Sequence, residues 1–188
     1  PGDPMHTWRS NAIGVMEGEN HRRVRSFATG ALSKRNMDSI RPLIRKHAHA
    51  LLDRAEGEPE LDVHRDFASP PPRLVMMDFL GIGPDELSGS FAAMSRVNIV
   101  DCFGPRVTPE LRDAANEAIQ KSMDHVAGLY AKRRSEPRDD LLTHLVQAKD
   151  EQGALSHGEL ITLFSTIFGS GASTTSVLAS GILELARH

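Results

Sequence analysis

The stretch Gly169-Ser170-Gly171-Ala172-Ser173-Thr174-Thr175 decides how this chain folds, because it sits inside an uncharged run from Leu160 to Leu183. Two glycines in a helix interior each cost about 1 kcal/mol relative to alanine, so something must offset them. One reading is a helix crossing, where small residues let two backbones meet. The other is a groove, in which a flat or bulky group approaches the backbone closely. In that case the hydroxyls of Ser173 and Thr174 bond back to the preceding turn and open the helix locally. The residues alone leave both readings open.

Upstream, Ser156 with Glu159 three residues on forms a capping box, which starts a helix. Continued to the end of the chain, that helix would have about 30 residues and a length of about 45 Å. An uncharged run of this length could cross a bilayer. Its content of Ser, Thr and Gly, with the polar run Ser173-Thr174-Thr175-Ser176, favours a buried central helix instead.

The remaining sequence reads as further helices. Glu19 to Leu32 carries Val24, Phe27, Ala28 and Leu32 at helical spacing. Ser33 takes an N-cap position before Lys34 to Ala55, whose inner face is Met37, Ile40, Ile44, Ala48 and Leu51-Leu52. Gly57-Glu58-Pro59 ends that helix. Glu60 to Phe67 alternates enough to predict a short strand or an extended connector. Pro70-Pro71-Pro72 suits a helix's first turn, with Arg73 to Leu80 following and Gly81-Ile82-Gly83-Pro84 stopping it. Asp85 to Cys102 and Pro109 to Arg134 are two further helices. The second is amphipathic, with Leu111, Ala115, Ala118-Ile119, Met123, Val126 and Leu129-Tyr130 on one face. Its terminal Lys132-Arg133-Arg134 is placed where positive charge favours the helix dipole. Asp139 to Lys149 is a short helix before the turn at Glu151-Gln152-Gly153. The fold class is all-α, with little or no β-sheet, and residues 1–188 form one helical segment.

With 188 residues, 39% hydrophobic and 25% charged, the chain can bury a sizeable core. A net charge of −3 argues against a general nucleic-acid binder. One cysteine, Cys102, forbids an internal disulfide and suits a reducing, cytoplasmic compartment. Pro1 to Asn20 has no apolar stretch of the secretory kind. The non-Met start and the stop within a helical pattern at Arg187-His188 suggest truncation at both ends.

The first chemical constellation is His21-Arg22-Arg23-Val24-Arg25. On a helix His21 and Arg25 are one turn apart and share a face. Two such donors can hold a carboxylate or phosphate; the blander reading is a solvated basic face. Of the other histidines, His47 and His49 face different ways, and the rest lack partners at metal-ligand spacing. Trp8 reads as a packing anchor.

Taken together, these residues resemble bacterial cytochromes P-450. Gly18-Glu19-Asn20-His21-Arg22-Arg23-Val24-Arg25-Ser26-Phe27, then Ala31-Leu32-Ser33 and Ile40-Arg41-Pro42, look like that family's third and fourth helices. Asp62 to Phe67, Ala68-Ser69-Pro70 and Leu80-Gly81-Ile82 are similar to the segment after them. Asp139-Asp140-Leu141-Leu142 and Leu155-Ser156 with Glu159-Leu160 resemble the entry to the long central helix. Gly169 to Thr175 falls on the oxygen-binding motif, small-Gly-x-acid-Thr-Thr. The resemblance implies that His21 and Arg25 donate to haem propionates. It implies that Ser170 and Gly171 pass over the haem face, and that Thr174 hydrogen-bonds dioxygen and helps deliver protons. Phe91 to Phe103 would roof the substrate pocket.

The sequence departs from the family at two points. Ser173 stands where the family has an acid, and a hydroxyl can only pass a proton along a chain. The family's iron is held by a cysteine thiolate from beyond the central helix. Cys102 lies on the roof side and reads as a small buried hydrophobe. Glu184-Leu185-Ala186-Arg187 fits the family's Glu-x-x-Arg by letter but follows Thr175 too closely. The implied parent is a haem-thiolate monooxygenase using O2, a small organic substrate and a ferredoxin-type redox partner, and this stretch alone should not turn over. The competing reading is a non-enzymatic helical binding module using the same groove, and intact mass separates the two. A helix-turn-helix regulator is a third, hinted at only by His21 to Arg25. Ile161, Phe164, Phe168, Val177 and Leu178 are expected to be partly exposed, so a homo-oligomer is expected.

Overall fold

A computed structural model describes residues 3–86, 108–150 and 153–188. The helix expected over Asp85 to Cys102, the roof over Phe91 to Phe103 and Cys102 itself lie outside the described residues, apart from a single turn at Pro84–Glu86. The order of helices is α1 (Pro4–Ser10), α2 (Gly18–Ala31), α3 (Lys34–Ala55), α4 (Pro70–Leu80), α5 (Pro109–Ser135), α6 (Leu141–Gln147), α7 (His157–Gly169) and α8 (Gly171–Arg187). Among the described residues the strands are limited to Lys149–Asp150 and Gly153–Ala154, paired antiparallel with Lys149 opposite Ala154.

The architecture is set by α7. Its capping box is formed as expected, with the Ser156 hydroxyl accepting from the Glu159 amide at 3.3 Å and the Glu159 carboxylate accepting from the Ser156 amide at 2.8 Å. Leu160, Ile161, Leu163, Phe164 and Ile167 are all buried. They pack with Val24 and Phe27 of α2, Leu80 of α4, Val126, Leu129 and Tyr130 of α5, and Leu141, Leu142 and Leu145 of α6. Ile161 and Phe164, expected to be partly exposed, are therefore interior residues, because neighbours surround α7 on several sides. Tyr130 meets the Phe164 ring edge-on and donates its hydroxyl to the Leu160 carbonyl at 2.7 Å. A smaller cluster joins Met5 to Ala115 and Ile119, with Trp8 packed against it as an anchor.

Two sequence expectations are corrected. The long helix is not continuous: Ser170 ends α7 and opens α8, with its amide turned back to the carbonyls of Thr166 and Ile167. Glycines on both sides and the Ser170 hydroxyl on the Ile167 carbonyl, at 2.7 Å, favour this interruption. The segment expected as a strand or extended connector instead winds into a helical turn at Val63–Ala68. Asp62 accepts from the Arg65 amide while Asp66 accepts from the Asp62 amide, a reciprocal cap that alternation of apolar residues does not reveal. The inner face of α3 is also only partly covered, since Ile44 and Leu52 are exposed.

The apolar face of α5 is as expected, but it continues through Arg133, which is fully buried. The guanidinium donates to Asp140 at 2.7 Å, to both Glu86 oxygens at 3.1 Å and to the Gly81 carbonyl at 2.5 Å. It thus ties α5 to the end of α4 and to Asp140, which also caps α6. Gly81 terminates α4 in the left-handed region, at φ 76°. A Cβ there would lie 2.2 Å from the Asp140 Cβ, so glycine serves both the turn and the close approach.

Removing one partner of a buried ion pair leaves the others uncompensated. Arg133→Ala is expected to lower unfolding stability by about 3–5 kcal/mol in denaturant titration. Hydrogen bonds from Arg133, with help from Lys132 and the Gly83 amide, hold the Glu86 carboxyl far below its ordinary range against the effect of burial. A lowered folded-state value contributes stability that is complete above the unfolded value and fades as pH falls. Stability is therefore expected to drop on acidification below about pH 4.5, and less steeply in Glu86→Gln, as read by thermal unfolding across pH.

Candidate functional site

On α2, Val24 and Phe27 point into the core and fix which sides of the helix face outward. His21 is half-buried and Arg25 exposed, one turn apart as expected. Among the described residues neither side chain has a hydrogen-bond or ion-pair partner, so the pair presents donors to solvent. Arg23, between them in sequence, behaves differently. Its guanidinium forms an ion pair with Glu159 of α7, and the two side chains are 14% and 10% exposed. Burial alone would push the Glu159 carboxyl up; the hydrogen bonds from Arg23 and the Ser156 amide outweigh it and hold the carboxyl below its ordinary range. The sequence reading grouped Arg23 with a solvated basic face. The available signal was its spacing of four from the buried Phe27, which places both on one helix face.

The second group lies at the α7–α8 break. Gly171 faces α4: a Cβ there would sit 3.2 Å from the Pro72 Cβ. The helix-crossing reading of this glycine thus has a physical basis. Ser170, Ser173 and Thr174 are exposed on the turn. The Ser173 hydroxyl donates to the Ser170 carbonyl at 3.0 Å, one of the two expected back-bonds; the other is made by Thr175, to the Gly171 carbonyl at 3.3 Å, rather than by Thr174. Ser170, Gly171 and Thr174 border an apolar cavity of about 380 Å³, with Ile40 and Ile44 of α3 and Pro72 and Val75 of α4 on its other walls. His21 and Arg25 do not line this cavity. The two groups are joined through α7, which contacts α2 at its start and runs into the Ser170 turn at its end.

Other residues have structural partners. His47 and Lys46 of α3 both bond Asp78 of α4, at 2.9 and 3.0 Å. Glu184 and Arg187 form a surface pair one turn apart. Among the described residues no group of three His, Cys, Asp or Glu is placed to hold a metal ion, and no helix is long and apolar enough to cross a membrane.

A family model described as Cytochrome P450 matches residues 4–188. Polyketide biosynthesis cytochrome P450 PksS of Bacillus subtilis (strain 168) is 32% identical over 170 residues, 90% of this chain and 40% of that protein. Cytochrome P450 107B1 of Saccharopolyspora erythraea is 32% identical over 167 residues, covering 88% of this chain and 39% of that protein. The PksS structure superposes with a TM-score of 0.77 at 26% identity, over 91% of this chain and 42% of that one. P450BioI, in complex with an acyl carrier protein ligated to hexadec-9Z-enoic acid, superposes at 0.85 over 98% of this chain and 47% of that one; at 20% identity it shows the fold alone. The chain belongs to the cytochrome P450 family, and it spans less than half the length of these relatives.

Haem is the cofactor of this family. The described residues fit its acidic edge, since His21 and Arg25 are unpaired donors one turn apart on a helix anchored in the core. The described residues include no cysteine, so the thiolate ligand to iron is not among them.

The contact at Gly171 distinguishes the two glycines of the motif. Gly169 has no atom within 4 Å of an added Cβ. Gly169→Ala is expected to raise stability by up to about 1 kcal/mol. Gly171→Val is expected to lower it by about 1–3 kcal/mol through overpacking on Pro72. Paired thermal unfolding curves check both.

Proposed function

We propose that this chain is the helical portion of a haem-thiolate monooxygenase that inserts one oxygen atom from O2 into a small organic substrate. The observation that carries the proposal is the Ser170 break, which leaves the Thr174 hydroxyl exposed beside the break, in a chain that matches the family over residues 4–188. When bound, haem supplies oxygen activation, with electrons from a ferredoxin-type redox partner. His21 and Arg25 would hold its carboxylates by charge-assisted hydrogen bonds. Ser170 and Gly171 would lie along its face. Thr174 would donate and relay a proton through its hydroxyl, and Ser173 would pass protons without supplying one, as it does not titrate in the carboxylate range.

The reading includes a cytoplasmic enzyme, since a single cysteine suits a reducing compartment. In this reading residues 1–188 alone are inactive, because the family's thiolate cysteine comes from beyond the central helix. The exposed Val177, Leu183 and Leu185 of α8 support self-association of the isolated chain.

The reduced, CO-treated visible spectrum tests the proposal. The complete protein with haem is expected to give a thiolate-type Soret band, and residues 1–188 with haem are expected to give none; the reverse result in either case overturns it. In the complete protein, Thr174→Ala is expected to lower product formation per electron by about 10-fold or more. Ser173→Asp is expected to raise it. Product and peroxide assayed together report both.

A further inference from the structure

We propose that Arg23 and Glu159 form a positioning pair that sets the rotation of α2 and so aims the His21–Arg25 face; this rests on reading that face as the clamp for haem carboxylates. Arg23 is two residues from each member of the clamp. At 100° per residue it lies about 200° around the helix from His21. It therefore anchors the side of α2 that faces away from the clamp. A pin on one side fixes the direction of the other.

The apolar contacts of α2 do not supply that direction alone. Val24 and Phe27 are buried against the core, but apolar burial is non-directional and tolerates small rotations. The Arg23–Glu159 pair is largely buried, with side chains 14% and 10% exposed, where loss of one charge leaves the other unsatisfied. Glu159 cannot follow Arg23 if α2 turns. Its second carboxylate oxygen accepts from the Ser156 amide at 2.8 Å, and its own amide donates to the Ser156 hydroxyl at 3.3 Å. One residue thus starts α7 and orients α2. Since α7 runs on to the Ser170 turn, the same pair keeps the clamp in register with Thr174.

The test measures haem release from the complete haem-loaded protein to an excess of apomyoglobin. Glu159→Gln, which keeps the cap acceptor and removes the charge, and Arg23→Met are each expected to speed release by about 10-fold. Arg23→Lys is expected to restore most of the loss. Added to a His21→Ala/Arg25→Ala background, Arg23→Met is expected to have no further effect, since a pair acting through the clamp is silent once the clamp is gone. An equal Arg23→Met effect in the clampless background would make the pair merely structural and overturn the proposal. So would unchanged release in Glu159→Gln and Arg23→Met alongside fast release in His21→Ala/Arg25→Ala. Unchanged release in His21→Ala/Arg25→Ala overturns the clamp reading itself, and the proposal with it.

Discussion

Helix α7 has almost no polar surface to give to water. Every residue from Leu160 to Ser165 is buried, so neighbours must enclose the helix on several sides. That constraint arranges α2, α4, α5 and α6 around it. The hydroxyls within it are spent on carbonyls: Thr162 donates to Asn11 at the end of α1 at 2.6 Å, and Ser165 bonds back to Ile161 at 2.9 Å. Polar chemistry is left to its two ends. Glu159 at the start holds a cation of α2, and Ser170 at the end interrupts the helix beside Thr174. An apolar rod with polar ends keeps the Arg23–Glu159 pair and the Ser170 turn in fixed relation.

Two arginines are drawn inward, and they serve different purposes. Arg133 gathers Glu86, Asp140 and the Gly81 carbonyl into one interior knot. It fastens the end of α4 and the start of α6 to α5, beside the core residues Leu80, Leu141 and Leu142. Arg23 joins the side of α2 to the first turn of α7. Both are arginine, whose fork reaches several acceptors while staying charged.

The parts of the fold legible in the sequence were those fixed by local chemistry. The capping box at Ser156, the proline start of α4 and the apolar stripe of α5 all depend on residues within a few positions of each other. The single turn at Val63–Ala68 was missed because its cap uses two acidic side chains, Asp62 and Asp66, in a segment that also alternates. Arg133 was missed because a terminal basic run normally faces water. Its spacing from Ile119, Val126 and Leu129 was the available clue. At the candidate site, the shared helix face of His21 and Arg25 was legible from helical spacing. The partner of Gly171 was not, since Pro72 is brought there by tertiary packing, and neither was the pairing of Arg23 with a residue far along the chain.

Gly81 carries an evolutionary consequence. A Cβ at this position would lie within 2.2 Å of the Asp140 Cβ, so a side chain at 81 requires residue 140 to shrink. A shrunken residue 140 takes a carboxylate from Arg133 and the cap from α6. Substitutions at positions 81, 140 and 133 are therefore coupled in that order: bulk at 81 is accommodated only by loss at 140, and loss at 140 leaves the Arg133 guanidinium short of a carboxylate.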